Sequence, residues 1–331
     1  MLKNNKKRVL SGMRATGRLH IGNYLGAIKG MIELQENKQY EVFYMIADVH
    51  TITTPYDKDS LVQKRENVIL DYLAAGLNPS KASIFIQSEI SEHVELSYYL
   101  SSVVTVARML HLPTYKDKIK QYPENATMAL LNYPVLMASD ILLYKADQVP
   151  VGIDQEPHLE VAREIARKMN DYYGTDFPEP TRFATKGGYI PSLLGEGKMS
   201  KTVEGSYINL TDNLDTILNK LAKAPTDSGK GFGVPNSGPV ANLLQLVSLF
   251  EGDEKKKYYE QEYLSLGIKY TELKHDLATA IYLALEPIQD KRKDLESKKN
   301  YVQSVVEEGA RKARIIAGHT VFEVKEKMGF I

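Results

Sequence analysis

The 331-residue chain contains no cysteine and no tryptophan. Without cysteine there are no disulfides, no thiolate metal ligands and no thiol nucleophile, which suits a reducing compartment. Neither sign of charge is in excess: 42 Lys and Arg stand against 42 Asp and Glu. No overall basic field therefore advertises a nucleic-acid partner, and any such partner must be held by a local patch. No apolar run approaches the roughly 20 residues that cross a bilayer. The N-terminal MLKNNKKRVLSG is basic but passes straight into a strand-like RVL, without the apolar core of a signal peptide. A cytoplasmic protein with no membrane partner is expected. The phosphate-loop pattern GxxxxGK[ST] is missing, and the GxGxxG spacing is not met. No internal repeat is apparent.

What remains is ordinary globular material, with 43% hydrophobic and 25% charged residues. The length suits two domains. In the first half strand-like and helix-like stretches alternate. Strands are expected at residues 8–12, 41–49 (EVFYMIADV), 82–87 (ASIFIQ) and 148–152 (QVPVG), with helices near 23–37, 60–75, up to 104, and 154–173. Such alternation predicts an α/β fold, a Rossmann-type doubly wound parallel sheet. Its ligands would lie at the carboxyl ends of the strands. Beyond residue 205 the texture becomes helical, at 213–223, 240–250, 253–266, 271–291 and 294–328. A Gly/Pro/Ser stretch at 225–239 reads as a mobile loop. A catalytic domain over 1–205 and a C-terminal all-helical domain over 206–331 are expected.

Two short strings carry the chemistry: GRLHIGNY at 17–24 and KMSKT at 198–202. In the first, glycines at 12, 17, 22 and 26 allow a tight turn and close helix packing. A helix beginning near Asn23 would aim its N–H groups and positive dipole end at a phosphate, with His20 and Asn23 as further donors. In the second, Lys198 and Lys201 are three residues apart on a loop made flexible by the preceding LLGEG, able to follow charge as a phosphate leaves. Alone, a histidine in a turn or a K-x-x-K pair is most often plain surface. Together, in this order, the strings describe a triphosphate site closed by two loops.

The pairing resembles the HIGH and KMSKS elements of the class I aminoacyl-tRNA synthetases. SGMRATGRLHIGNYLGAI, IADVHTIT, FIQSEI, PTYKDK, YPVLMASDILLYKADQVPVGIDQEPHLEVAREIARKMN and GKMSKT are similar to the bacterial tryptophanyl-tRNA synthetases, densely up to residue 205 and more thinly after it. The resemblance implies that ATP, carrying Mg²⁺ with no dedicated protein site, meets Arg14, Ala15, Thr16, Gly22, Asn23, Gly152, Ile153, Ile190, Lys198, Met199, Ser200, Lys201 and Thr202, with Asp154 on its ribose. It places the aspartate that reads an indole at Asp140, and the amino-acid pocket at Tyr133, Met137, Ile141 and Val151, with Gln155 on the ammonium. It also implies L-tryptophan and tRNA(Trp) as partners and a homodimer. HIGN and KMSKT depart from the commonest family strings, Ile153 stands where an acid is usual, and Arg14 stands where some relatives have glutamine.

Asp140 lies in YPVLMASDILLY, apolar around most of a helix, where a carboxylate is costly unless something pairs with it. An indole N–H, a donor only, would serve; so would capping of a neighbouring helix or pairing with Lys145. In the expected reaction Lys198, Lys201 and Lys118, the last from the basic TYKDKIK, meet the pyrophosphate charge, with His20 and Asn23 opposite. The Lys/Arg-rich stretches 291–299 and 311–314 would face the tRNA or simply solvent. Three alternatives stand beside this: a tyrosyl-specific relative, a non-catalytic nucleotide-binding paralogue, and a metabolic nucleotidylyltransferase, for which the helical tail has no use.

Overall fold

The structure is a computed structural model and describes residues 6–183, 189–201 and 203–331. Strand β1 (Lys7–Arg14) enters helix α1 (Ile21–Asn23), which runs through a π-helical turn at Tyr24–Ile28 into α2 (Lys29–Glu36). There follow β2 (Tyr40–Ala47), α3 (Leu61–Ala75), β3 (Ala82–Ile86), α4 (Glu92–Leu100), α5 (Val106–Leu110), α6 (Pro113–Gln121), α7 (Met128–Leu143), β4 (Gln148–Val149), α8 (Glu156–Tyr173) and β5 (Thr181–Arg182). The chain ends in α9 (Leu214–Lys223), α10 (Gly238–Glu251), α11 (Asp253–Leu264), α12 (Tyr270–Ser297) and α13 (Lys299–Lys327).

Among the described residues five strands pair in parallel, in the order β3-β2-β1-β4-β5. Strand order reverses between β1 and β4, so their carboxyl ends open the crevice where such sheets bind ligands. The apolar run of β2 is buried from Val42 to Ala47, as a central strand covered on both faces must be. The expected doubly wound sheet is therefore present. The fourth strand is shorter than its apolar run suggested, and β5 was not foreseen, because two residues carry too little pattern to register.

Helices cover both faces. On one side α2 and α3 pack with residues of α9 to α12; on the other α4, α7 and α8 pack with α13. Helix α8 buries Leu159, Val161, Ala162, Ile165, Ala166 and Met169, a stripe at helical spacing, and stops at Gly174, whose left-handed φ of 71° suits a C-terminal glycine cap. The 225–239 loop, expected to be mobile, is tied down. Asp227 accepts from the Tyr263 and Tyr270 hydroxyls, both at 2.6 Å, and the Ile268 N–H donates to Gly229 O at 2.8 Å. Among the described residues no helix is long and apolar enough to cross a membrane.

Helix α13 runs along the edge strand β3 and touches it at Gly309, where an added Cβ would sit 1.9 Å from Ile84 O. Gly309→Ala should therefore push the helix off the strand and cost about 2–3 kcal/mol, the range for overpacking a filled contact. Gly318→Ala, with only the Glu92 carboxylate 3.8 Å away, should gain several tenths of a kcal/mol from helix propensity. Urea unfolding of the two variants checks the opposite signs.

Candidate active site

At the carboxyl ends of β1 and β4 two cavities adjoin, one of about 870 Å³ and one of about 360 Å³, with Arg14 and Val151 in the walls of both. Arg14 ends β1, donates to Thr54 Oγ1 at 3.1 Å, and leaves its Nε buried without a partner.

The larger cavity brings the two signature strings together. His20 is the N-cap of α1, two to three residues before the expected helix start. It is nearly buried, with no protein partner for Nδ1. Burial, then the charges of Lys201 and Lys198, depress its pKa to about 4, so the ring is neutral at pH 7 and holds a single N–H donor. The Asn23 side-chain Oδ1 accepts the His20 backbone N–H at 3.1 Å, which leaves the side-chain Nδ2 to donate elsewhere. Gly22 lies against the His20 ring: a Cβ there would meet Nδ1 at 2.8 Å. From the other side, residues 190–199 form a small hairpin with Met199 N–H to Ile190 O at 3.1 Å. Its continuation carries Lys201, whose Nζ donates to Gly17 O at 2.9 Å and thereby latches one string to the other. Burial lowers the Lys201 pKa to about 8, against the opposing pull of the Asp71 carboxylate. Lys198 is exposed, with Nζ 3.8 Å from Asp154 Oδ2.

Thr16, Gly152, Ile153, Asp154, Ile190, Met199 and Ser200 line this cavity too, and the unforeseen Arg182 adds a further cation. Ala15, expected to meet ATP, is instead fully buried in the core and lines neither cavity. Thr202 lies outside the described residues. Lys118 lines the smaller cavity beside Arg14, apart from the other two lysines, and donates to Gln121 Oε1 at 3.1 Å.

The smaller cavity is walled by Tyr133, Met137, Ile141 and Val151, with Asp140 and Gln155 as polar points. Asp140 neither caps a helix nor pairs with Lys145, which is engaged by Asp176 and Glu323. Instead Gln87 Nε2 and His93 Nδ1 meet its Oδ1, both at 2.7 Å, and His50 Nε2 meets Oδ2 at 2.7 Å. Burial alone would raise the Asp140 pKa; contacts with His50 and His93 outweigh it and hold the pKa below the usual carboxylate value. The carboxylate is thus ionised and accepts from all three. His93 Nδ1 therefore carries the proton of that bond, and its Nε2 lies 2.8 Å from the Tyr144 hydroxyl.

A second network faces it. The Tyr133 hydroxyl is 2.6 Å from Thr114 Oγ1 and 2.7 Å from His158 Nε2, and His158 Nδ1 is 2.9 Å from Gln155 Oε1. Gln155 Nε2 donates onward to Asp154 Oδ2 at 2.9 Å, so hydrogen bonds run from one cavity to the other. His50, Gln87, His93, Thr114 and His158 were not singled out in the sequence. The signal available was position: His50 lies three residues beyond the buried strand β2 and Gln87 directly follows β3, at the sheet end where ligands bind.

The family of tRNA synthetases class I (W and Y) matches residues 2–286. The tryptophan–tRNA ligase of Porphyromonas gingivalis is 39% identical over 328 residues, covering 97% of this chain and 99% of that protein. The enzyme of that name from Rickettsia conorii is 42% identical over 334 residues, covering 98% and 99%. The chain belongs to the class I tRNA synthetases. A solved member of this family, the tryptophanyl-tRNA synthetase of Campylobacter jejuni complexed with ADP and tryptophan, superposes with a TM-score of 0.85 at 32% identity, over 97% of this chain and 99% of that one. The synthetase fold thus accounts for 97% of the chain, helical tail included, and the nucleotidylyltransferase alternative falls away.

Proposed function

We infer that this synthetase is a tryptophan–tRNA ligase, with tryptophan in the smaller cavity and ATP in the larger. The observation that carries this reading is the bonding of Asp140. A carboxylate offers about four lone-pair sites. Gln87 and His93 take both on Oδ1, and His50 takes one on Oδ2. One acceptor remains in an apolar cavity, and an indole N–H matches it. A phenolic oxygen brings lone pairs that need a donor, and the three donors nearby already serve Asp140. Tyrosine is therefore rejected, because unpaired buried polar groups are penalised.

Across the cavity Tyr133 and Gln155 present oxygens to the substrate ammonium. The substrate carboxylate, already ionised, attacks the α-phosphorus of ATP. The α-phosphorus–oxygen bond to the β-phosphate breaks, and pyrophosphate leaves with the electron pair. No general base is required; positioning and charge stabilisation do the chemistry. Lys198 and Lys201 meet the charge growing on pyrophosphate, and neutral His20 and Asn23 donate from the opposite loop. Lys118, beside Arg14, acts where the two cavities join. Asp154 holds the ribose, and the backbone at Ile190 lies by the adenine. Mg²⁺ enters as part of the ATP substrate. In the second step the 2′-hydroxyl of the terminal adenosine of tRNA(Trp) attacks the tryptophanyl carbonyl and AMP leaves. We assign the first 205 residues to the adenylating domain and residues 206–331 to the tRNA anticodon. The enzyme acts as a cytoplasmic homodimer.

Two measurements follow. In the free enzyme Lys201 is charged below pH 8 and loses its proton as pH rises through about 8, so kcat/KM for ATP should fall above that value. Lys201→Arg, which stays charged, should flatten that limb of the profile. Charging of unfractionated bacterial tRNA with tryptophan should give a stable 2′/3′ ester on tRNA(Trp). ATP consumption without charging would mark a non-catalytic paralogue instead.

A further inference from the structure

Two contacts, one buried and one half-buried, join the C-terminal helix α12 to the GRLHIGNY loop. Arg292, within a Lys/Arg-rich stretch expected to face tRNA or solvent, is instead 4% exposed. Its guanidinium is paired with Asp71 of α3 and donates to Asn67 O at 3.1 Å and Asn67 Oδ1 at 2.7 Å. Asp71, 1% exposed, uses its other oxygen to accept the Leu19 N–H at 2.6 Å. On the opposite side Leu19 O accepts the Leu210 N–H at 2.9 Å, and Leu210 O accepts from Gln289 Nε2, one helical turn before Arg292, also at 2.9 Å. Both backbone polar groups of Leu19 are thus tied to α12 through one intermediary each. Leu19 is the residue before His20, and two residues after Gly17, whose carbonyl holds Lys201.

We propose that Arg292, Asp71 and Gln289 are positioning residues for adenylation, clamping Leu19 so that the seating of α12 sets the placement of His20 and Lys201. None of the three lines either cavity. A buried ion pair is a poor device for stability alone, because desolvation offsets much of its attraction. Here it fixes a loop whose misplacement by about an ångström would be felt in rate. The seating of α12 is thereby transmitted to the triphosphate loop; among the described residues neither Gln289 nor Arg292 bonds to Asp140, Tyr133 or their partners, so the amino-acid pocket is not expected to feel it.

The proposal rests on the placement of ATP between the two loops, and its test separates the two ideas. Arg292→Met alone would strand a buried charge. D71N/R292M removes that charge and keeps an acceptor for the Leu19 N–H, and Gln289→Leu cuts the second arm. Pyrophosphate exchange is measured against ATP and against tryptophan in both variants, with thermal unfolding alongside and Lys201→Ala as reference. The expected result is kcat/KM for ATP lowered by about tenfold or more in each, with tryptophan affinity within about twofold of the parent. ATP kinetics at parent values in folded variants would overturn the clamp, as would equal losses for both substrates. If Lys201→Ala also left ATP kinetics unchanged, the placement of ATP itself would fall.

Discussion

Asp140→Asn is expected to lower kcat/KM for tryptophan by about a hundredfold or more while leaving the KM for ATP within a factor of about two or three. The carboxylate meets three donors, and the remaining lone pair is the one we propose for the indole N–H. An amide replaces one of its oxygens with an NH₂ group. Whichever way it turns, that group faces a donor or the substrate N–H, and a charge-assisted hydrogen bond is lost. Bonds to charged groups contribute about 1.5–3 kcal/mol, and a buried donor left unpaired costs about 1–3 kcal/mol more. The sum, about 2.5–6 kcal/mol, corresponds to a factor between roughly sixty and twenty thousand. Asp140→Ala should be worse and should also destabilise the fold, since His50, Gln87 and His93 all lose their acceptor. Loss of less than threefold in the asparagine variant would remove Asp140 from the recognition of the indole.

Lys201→Ala is expected to slow adenylate formation by about a hundredfold to a thousandfold, the range seen when a preorganised charge-stabilising group is removed. Tryptophan binding should be almost unaffected, because Lys201 lines only the larger cavity. The absence of tryptophan from the chain makes the two effects easy to separate. Excited where tyrosine does not absorb, the substrate supplies the whole fluorescence signal, so its binding is read without a protein background. Pyrophosphate exchange then reports the chemical step. Parent-rate exchange in the variant, or a parallel loss of tryptophan binding, would refute the assignment.

The sequence showed the sheet where runs were long and apolar, as in EVFYMIADV, and missed β5, where two residues suffice. It flagged the two loops that meet in the larger cavity because glycines and paired lysines leave compositional marks. Asp140 stood out because a carboxylate in an apolar helix is anomalous. Its three partners did not: His50, Gln87 and His93 come from three separate segments, and only the parallel topology brings them to one carboxylate. Arg292 was misplaced for the same reason. Its neighbours Lys291, Lys293 and Lys298 make it look like part of a solvated charged face, while α12 turns it inward onto Asp71. Long-range polar pairing has no period, so one sequence does not display it.

The central claim is that one unspent acceptor on Asp140 selects tryptophan for adenylation. Amino-acid-dependent exchange of labelled pyrophosphate into ATP, run across all the standard amino acids, tests it most directly. Tryptophan alone should drive exchange, with tyrosine at least about a thousandfold weaker in kcat/KM. Exchange driven equally well by tyrosine, or by no amino acid at all, would contradict it.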